Sequence, residues 1–415
     1  MGKQNLTLMT DLYELTMMQG YFRNKDRNET VIFDAFYRNN PMDSGYSICA
    51  GLEQVIDYVN NLHFEDDDIA YLRSLGIFGE DFLKYLRDFH FSGDIYAIPE
   101  GSIMFPREPM IKVIAPIMEA QLVETAILNI INHQSLIATK TSRVCFAARG
   151  DGIMEFGLRR AQGPDAGTLG ARAAMIGGCV GTSNVLAGQL FDVPVKGTHA
   201  HSWIMSFPDE YTAFKTYADM YPSACILLVD TYDTLKSGVP NAIRVFTEMR
   251  EAGIPLTFYG IRLDSGDLAY LSKKARKMLD EAGFPDAVIS ASNDLDEYLI
   301  DSLKVQGCKI TSWGVGTHLI TSKDWPSFGG VYKLAAIQDA QSGEFIPKIK
   351  LSENSEKITN PGNKKIYRIY EKDTGKIKAD LITLVEETFD PEQDLTIFDP
   401  IETWKKTTLK GGTDE

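Results

Sequence analysis

Residues 225–263 read CILLVDTYDTLKSGVPNAIRVFTEMREAGIPLTFYGIRL, and the fold class turns on this stretch. It opens on a short apolar strand, Cys225–Thr231. A helix over Val239–Ala252 follows, with Val239, Ile243, Phe246 and Met249 on one face. Gly253 stands where a helix end needs a left-handed residue, and a second strand runs over Leu256–Leu263. Strand, helix, glycine, strand is the pattern of parallel βα units. The pattern repeats downstream: helix Leu268–Ala282 and Gly283, strand Ala287–Ser292, helix Leu295–Gln306 and Gly307, strand Lys309–Val315. Working outward adds strands Ile153–Gly157, Cys179–Thr182 and Pro194–Thr198 before it and Gly330–Ile337 after it. Up to eight strands in about 185 residues predict an α/β barrel. The alternative is an open doubly wound sheet.

Upstream of about residue 130 the pattern is mixed. Val31–Tyr37 reads as a strand and Ser47–Leu62 as a helix. Asp94–Ile98 and Lys112–Ile114 read as strands, and Ile117–Gln134 as a long buried helix.

Composition narrows the function classes. The chain has 415 residues, too many for one ordinary compact domain. Lys plus Arg is 42 against 57 for Asp plus Glu, a net charge of -15. Nucleic acid and anionic membranes both require a basic surface, so neither is an expected partner. Five scattered cysteines without a C-x-x-C suggest neither a disulfide framework nor a zinc ribbon, and fit a reducing cytoplasm. The N-terminus lacks a signal-peptide layout, and no apolar run is long enough to span a bilayer.

In a barrel the reacting groups sit at the C-terminal ends of strands. Read in order, those ends carry Arg159 and Arg160; Thr182, Ser183 and Asn184; Thr198, His199 and His201; Asp230 and Asp233. Then come Arg262, Asp264, Ser265 and Asp267; Asn293 and Asp294; and Gly314, Gly316 and Thr317. This set predicts a pocket for a phosphorylated, metal-bound ligand. Gly314 and Gly316, with Gly329 and Gly330 ahead of the eighth strand, let backbone N–H groups approach phosphate, or else only make tight turns. Arg262 beside Asp264 is either a plain ion pair or a bidentate clamp on a carboxylate or phosphate. Asp264 and Asp230 are candidates for ribose hydroxyls or hydrated magnesium. For His201, three readings stay open: a structural histidine, a metal ligand paired with His199, or a nucleophile. Tyr13 reads as ordinary packing on physics alone. The absence of a Walker A motif means that any ATP binds in another way.

Thr10–Met17 (TDLYELTM), Glu155–Pro164 (EFGLRRAQGP), Thr182–Gln189 (TSNVLAGQ), Gly197–Trp203 (GTHAHSW), Gly260–Asp267 (GIRLDSGD) and Gly314–Leu334 together resemble the nicotinate phosphoribosyltransferase family. The resemblance runs from about residue 5 to at least about residue 405. It implies an irregular, TIM-like α/β barrel over 136–337. A flanking α/β domain would be built from the N-terminal segment 1–135 and completed by 338–415. It implies a homodimer with shared active sites. By the same resemblance His201 is the histidine that ATP phosphorylates, with Arg262 and Asp264 as its catalytic companions. Phe156 and the partner subunit's Tyr13 sandwich a pyridine ring. Arg262 and Thr198 lie near the nicotinate carboxylate, and Arg159, Gly316 and Thr317 hold phosphates of phosphoribosyl pyrophosphate (PRPP). No resident metal site is implied; magnesium comes with ATP and PRPP.

The implied reaction is ATP-coupled formation of nicotinate mononucleotide and pyrophosphate. Neutral Ser183 and Asn184 favour nicotinate, because nicotinamide-using enzymes of similar motifs carry an acidic residue nearby. A nicotinamide phosphoribosyltransferase and a catalytically silent binding protein for phosphorylated ligands are the alternatives. Two departures stand out. His199 replaces the family's frequent Met or Leu, and the chain closes on Gly-Gly-Thr-Asp-Glu where many members continue. That ending is expected to weaken the first domain or the dimer.

Overall fold

In the computed structural model, residues 5–351, 353, 357–390 and 392–410 are described. The expectations attached to residues 1–4 and 411–415 lie outside them. The chain divides into two compact units, one made of Met1–Ser135 and Ser327–Glu415 and the other of Leu136–Pro326. No helix among the described residues is long and apolar enough to cross a membrane.

The chain enters the first unit through β1 (Thr30–Tyr37), which is buried along nearly its whole length. The short β2 (Ser47–Ile48) pairs with β4 (Ile103–Met104), and β3 (Asp94–Ala97) pairs antiparallel with β5 (Ile111–Pro116). β5 in turn lies antiparallel to β1. The helix expected from Ser47 starts only at Leu52. Gly51, at φ 108, turns the chain there, and Ser47–Ile48 is spent on the β2–β4 pair. The expected helix Ile117–Gln134 is two, Ile117–Leu122 and Glu124–Ala147.

The second unit is a parallel sheet with helical crossovers. Its strands are β6 (Gly152–Glu155), β7 (Gly181–Thr182), β8 (Cys225–Leu228), β9 (Tyr259–Leu263), β10 (Val288–Ala291) and β11 (Ser312–Val315). Their spatial order is β7-β6-β11-β10-β9-β8. The last strand pairs in parallel with the first, Ser312 opposite Gly152 and Val315 opposite Glu155. That first-to-last pairing is a barrel property; an open doubly wound sheet leaves its first strand inside and its last at an edge. The amphipathic helices Val239–Glu251, Leu268–Glu281 and Glu297–Val305 stand where periodicity placed them. Gly253, Gly283 and Gly307 after them all have positive φ.

Two expected barrel strands differ. Pro194–Thr198 contributes only a parallel bridge from Val195 to Thr182, because the segment carries Gly197 and leaves most of its residues exposed, with little to bury. Among the described residues the sheet therefore ends at that bridge on one side and at β8 on the other. Gly330–Ile337, read as the eighth strand, is instead β12 (Gly330–Gln338) of the first unit. It lies antiparallel to β1 and carries β13 (Phe345–Pro347) on its other side. Its apolar residues suit either sheet, and the long partner β1 decides the matter: Tyr332 stacks on Phe33 at 4.7 Å between ring centroids. The chain closes with two hairpins, β14 (Lys364–Tyr370) on β15 (Ile377–Leu384) and β16 (Leu395–Phe398) on β17 (Lys406–Leu409).

Close approach fixes one glycine of the parallel sheet. A Cβ on Gly260 would run into the backbone of Val288 on the neighbouring strand. Gly260→Ala is expected to lower unfolding free energy by about 2–3 kcal/mol, read by urea denaturation.

Candidate functional site

The C-terminal ends of the parallel strands carry nearly all the unusual polar groups of the second unit. β8 and β9 form the denser side. Arg262, within β9, is largely buried, and its guanidinium donates to the Thr198 hydroxyl and, at 3.1 Å, to the His199 carbonyl. Burial pulls its pKa down, against the raising effect of Asp264 and Asp230. A cation this poorly hydrated and still holding an unpartnered Nε gains strongly from an anion.

Just past Arg262 the backbone N–H of Asp264 donates to Asp230 Oδ2 at 2.8 Å, and the Ser265 hydroxyl donates to the same oxygen at 2.7 Å. Asp230 Oδ1 is buried without a partner. Asp264 accepts a hydrogen bond from the Ser292 hydroxyl through Oδ1. Its Oδ2 lies 3.6 Å from His201 Nε2. The other ring nitrogen of His201, Nδ1, is 3.0 Å from the Thr231 hydroxyl. His201 thus hydrogen-bonds Thr231 on one side and faces the Asp264 carboxylate on the other, while its side chain stays 39% exposed. An accessible imidazole between a hydroxyl and a carboxylate has the arrangement of a nucleophile or proton carrier.

The two histidines separate cleanly. His199 is buried against Tyr217 in edge contact at 4.7 Å, and its Nε2 accepts the Leu228 N–H at 3.4 Å. Burial, with the charge of Arg262 adding to it, drives its pKa down to about 4, so it is neutral at pH 7. Its Nε2 is engaged by backbone, while its Nδ1 is buried without a partner.

β6 and β11 form the other side. Phe156 continues β6, its N–H donating to the Val315 carbonyl at 2.8 Å. Its ring lies over Gly314, where a Cβ would approach to 2.5 Å. Gly316 passes next to the Phe156 carbonyl, and Thr317 starts a one-turn helix, Thr317–Ile320. Beneath them Glu155 is fully buried; it accepts from the Gly157 N–H and, at 2.6 Å, from the Thr182 hydroxyl. Burial raises its pKa. Arg159 and Arg160 are exposed in the turn Leu158–Arg160, and the charge of Arg159 reaches Arg262.

Of the residues singled out in the sequence, Thr198, His201, Asp230, Arg262 and Asp264 come together directly, and Phe156, Arg159, Gly314, Gly316 and Thr317 stand on the neighbouring strand ends. Others are placed differently. Asp233, Asp267 and Asn184 cap helices through their side chains. Tyr13 belongs to the first unit, nearly half exposed, with its phenol beside Glu124. Thr231, Ser292 and the pair His318–Asp296 at 3.1 Å were not singled out. Ser292 was legible in principle, since the parallel register Ser290–Arg262 and Ala291–Leu263 puts it next to Asp264.

Glu14, next to Tyr13, is fully buried. Burial pushes its carboxyl up to about 7 although Thr10 and Thr125 donate to it. A carboxyl raised by folding stabilises fully below its unfolded value and loses that contribution as pH rises through about 7. Between about pH 5 and about pH 8 the protein is expected to lose on the order of 3 kcal/mol more stability than Glu14→Gln, measured by urea unfolding.

Comparisons with known proteins point to one family. The model for the nicotinate phosphoribosyltransferase N-terminal domain matches residues 8–132, that for the nicotinate phosphoribosyltransferase family residues 152–365, and that for the C-terminal domain residues 363–413. A nicotinate phosphoribosyltransferase of Bacillus subtilis is 50% identical over 400 residues, spanning 96% of this chain and 80% of that protein. The crystal structure of human nicotinic acid phosphoribosyltransferase superposes with a TM-score of 0.82 at 30% identity, covering 97% of this chain and 87% of that one. A nicotinate-nucleotide pyrophosphorylase from Pyrococcus furiosus shares the fold alone, with a TM-score of 0.70 at 22% identity over 98% of this chain and 88% of that one.

Proposed function

The chain belongs to the nicotinate phosphoribosyltransferase family, and from that premise we propose that it condenses nicotinate with PRPP, driven by ATP through a phosphohistidine at His201. The observation that carries the reading is the accessible imidazole of His201 between Thr231 and Asp264, beside a desolvated Arg262.

A ring nitrogen of His201 attacks the γ-phosphorus of ATP, and the bond to the bridging oxygen breaks with its electrons leaving on ADP. The nicotinate ring nitrogen, which already has a lone pair, bonds to ribose C1′ while the bond to pyrophosphate breaks. No general base is required, so the protein's task is positioning. Arg262 and Thr198 would hold the nicotinate carboxylate. Phe156, and the partner subunit's Tyr13 in a homodimer, would sandwich the ring. Arg159 with the backbone at Gly316 and Thr317 would hold phosphates. Water then takes the phosphoryl group from His201. The products are nicotinate mononucleotide, pyrophosphate, ADP and phosphate.

Asp230 fits magnesium, since its buried Oδ1 lacks a partner and this ion binds through one or two carboxylates plus substrate phosphates. Held there, it would supply charge neutralisation on the pyrophosphate. The buried cationic clamp supports the anionic substrate over nicotinamide. The free cysteines support a cytoplasmic setting.

Radiolabelled ATP tests the reading. Label is expected on the wild-type protein and absent from His201→Ala, with ADP release stimulated by nicotinate and not by nicotinamide. A His201→Ala variant that labels and turns over normally overturns the role of His201, and a preference for nicotinamide overturns the substrate. Full activity in a strictly monomeric protein contradicts the shared site.

A further inference from the structure

We propose that Ser292 is a positioning residue that acts on His201 through Asp264; this rests on the phosphohistidine reading above. The parallel register of β9 and β10 aligns Ser290 with Arg262 and Ala291 with Leu263, so Ser292 falls one step further, level with Asp264. Ser292 is 8% exposed, and its hydroxyl donates to Asp264 Oδ1.

The consequence is a choice between the two carboxylate oxygens. A terminal carboxylate turns readily about its last bond. With Oδ1 taken by Ser292, Oδ2 is the oxygen left to face His201 Nε2 at 3.6 Å. The backbone of Asp264 is fixed separately by its N–H to Asp230. Orientation of the carboxylate therefore depends on one hydroxyl.

The chain holds that hydroxyl at a conformational cost. Directly after Ser292 it leaves through Asn293 at φ 89 and Asp294 at φ 42, two successive non-glycine residues in the left-handed region. Such backbone persists where the surroundings over-determine it, and it gathers at functional sites. A purely structural Ser292 would act through its backbone N–H, which bonds the Leu263 carbonyl at 3.0 Å and survives replacement by Ala, Thr or Cys. The hydroxyl's separate effect distinguishes the two roles.

The experiment follows ATP-derived label and steady-state kinetics on the full chain. Ser292→Ala is expected to form phosphoenzyme about tenfold more slowly, the size of one lost charge-assisted hydrogen bond. The KM for nicotinate should stay within about twofold of wild type, because Arg262 and Thr198 are untouched. Ser292→Thr, which restores a hydroxyl, should recover most of the rate. Ser292→Cys, close in size with a weak donor, supplies the same comparison if the alanine variant does not fold. Labelling of the Ala or Cys variant at the wild-type rate overturns the proposal, and so does a KM for nicotinate that rises in step with the loss of rate. If the wild-type protein takes no label at all, the phosphohistidine reading itself fails and carries this inference with it.

Discussion

The pairing of β6 with β11 is the contact on which the site depends. It joins the first parallel strand to the last, Met154 beside Gly314 and Glu155 beside Val315. Everything between them in sequence must then follow around the same sheet with its C-terminal ends pointing one way. Phe156 and Gly316, far apart in the chain, become neighbours through that ladder. Gly314 has no side chain because the Phe156 ring occupies its place. The sheet need not close completely for this to work. The weak side, from the Val195 bridge to β8, is where Thr198 and His199 are tied instead by Arg262 and by the Leu228 N–H.

Electrostatics at the strand ends runs against the composition. A chain of net charge -15 concentrates Arg159 and Arg262 within range of each other and buries the second. His199, beside Arg262, is kept neutral by burial, which avoids adding a third charge. The acidic groups near Arg262 are committed elsewhere: Asp230 to the backbone of Asp264, and Asp264 to Ser292 and His201. Arg262 therefore lacks a direct carboxylate partner in the hydrogen bonds that hold it, which are to Thr198 and a carbonyl. An anion bound there would supply what the protein withholds.

Much of this was legible in residues 225–315, where helical periodicity, C-terminal glycines and apolar strands all agree on one βα grammar. Arg262, Asp264 and His201 stand out in the sequence because strand ends are where such groups matter, and the fold brings the three together. The misplacements have physical causes. Gly330–Gln338 is apolar enough for either sheet, and partner length, which no local window contains, assigns it to β1. Pro194–Thr198 looked like a strand but has too few residues to bury. Asp233 and Asn184 looked like site residues, and their side chains are spent on helix ends, a use that polar residues at strand–helix junctions share with binding. Thr231 and Ser292 escaped notice because a hydroxyl acquires meaning only from the group across the sheet.

The first unit is assembled from both ends of the chain, with β1 waiting for β12. A ribosome delivers residues in order, so the parallel sheet of Leu136–Pro326 is complete in the growing chain before β1 meets its long antiparallel neighbour. Until then the apolar edge of β1 is a nascent-chain liability, of the kind that chaperones cover. The order of synthesis thus completes the Leu136–Pro326 unit first and leaves the other waiting for its C-terminal strands.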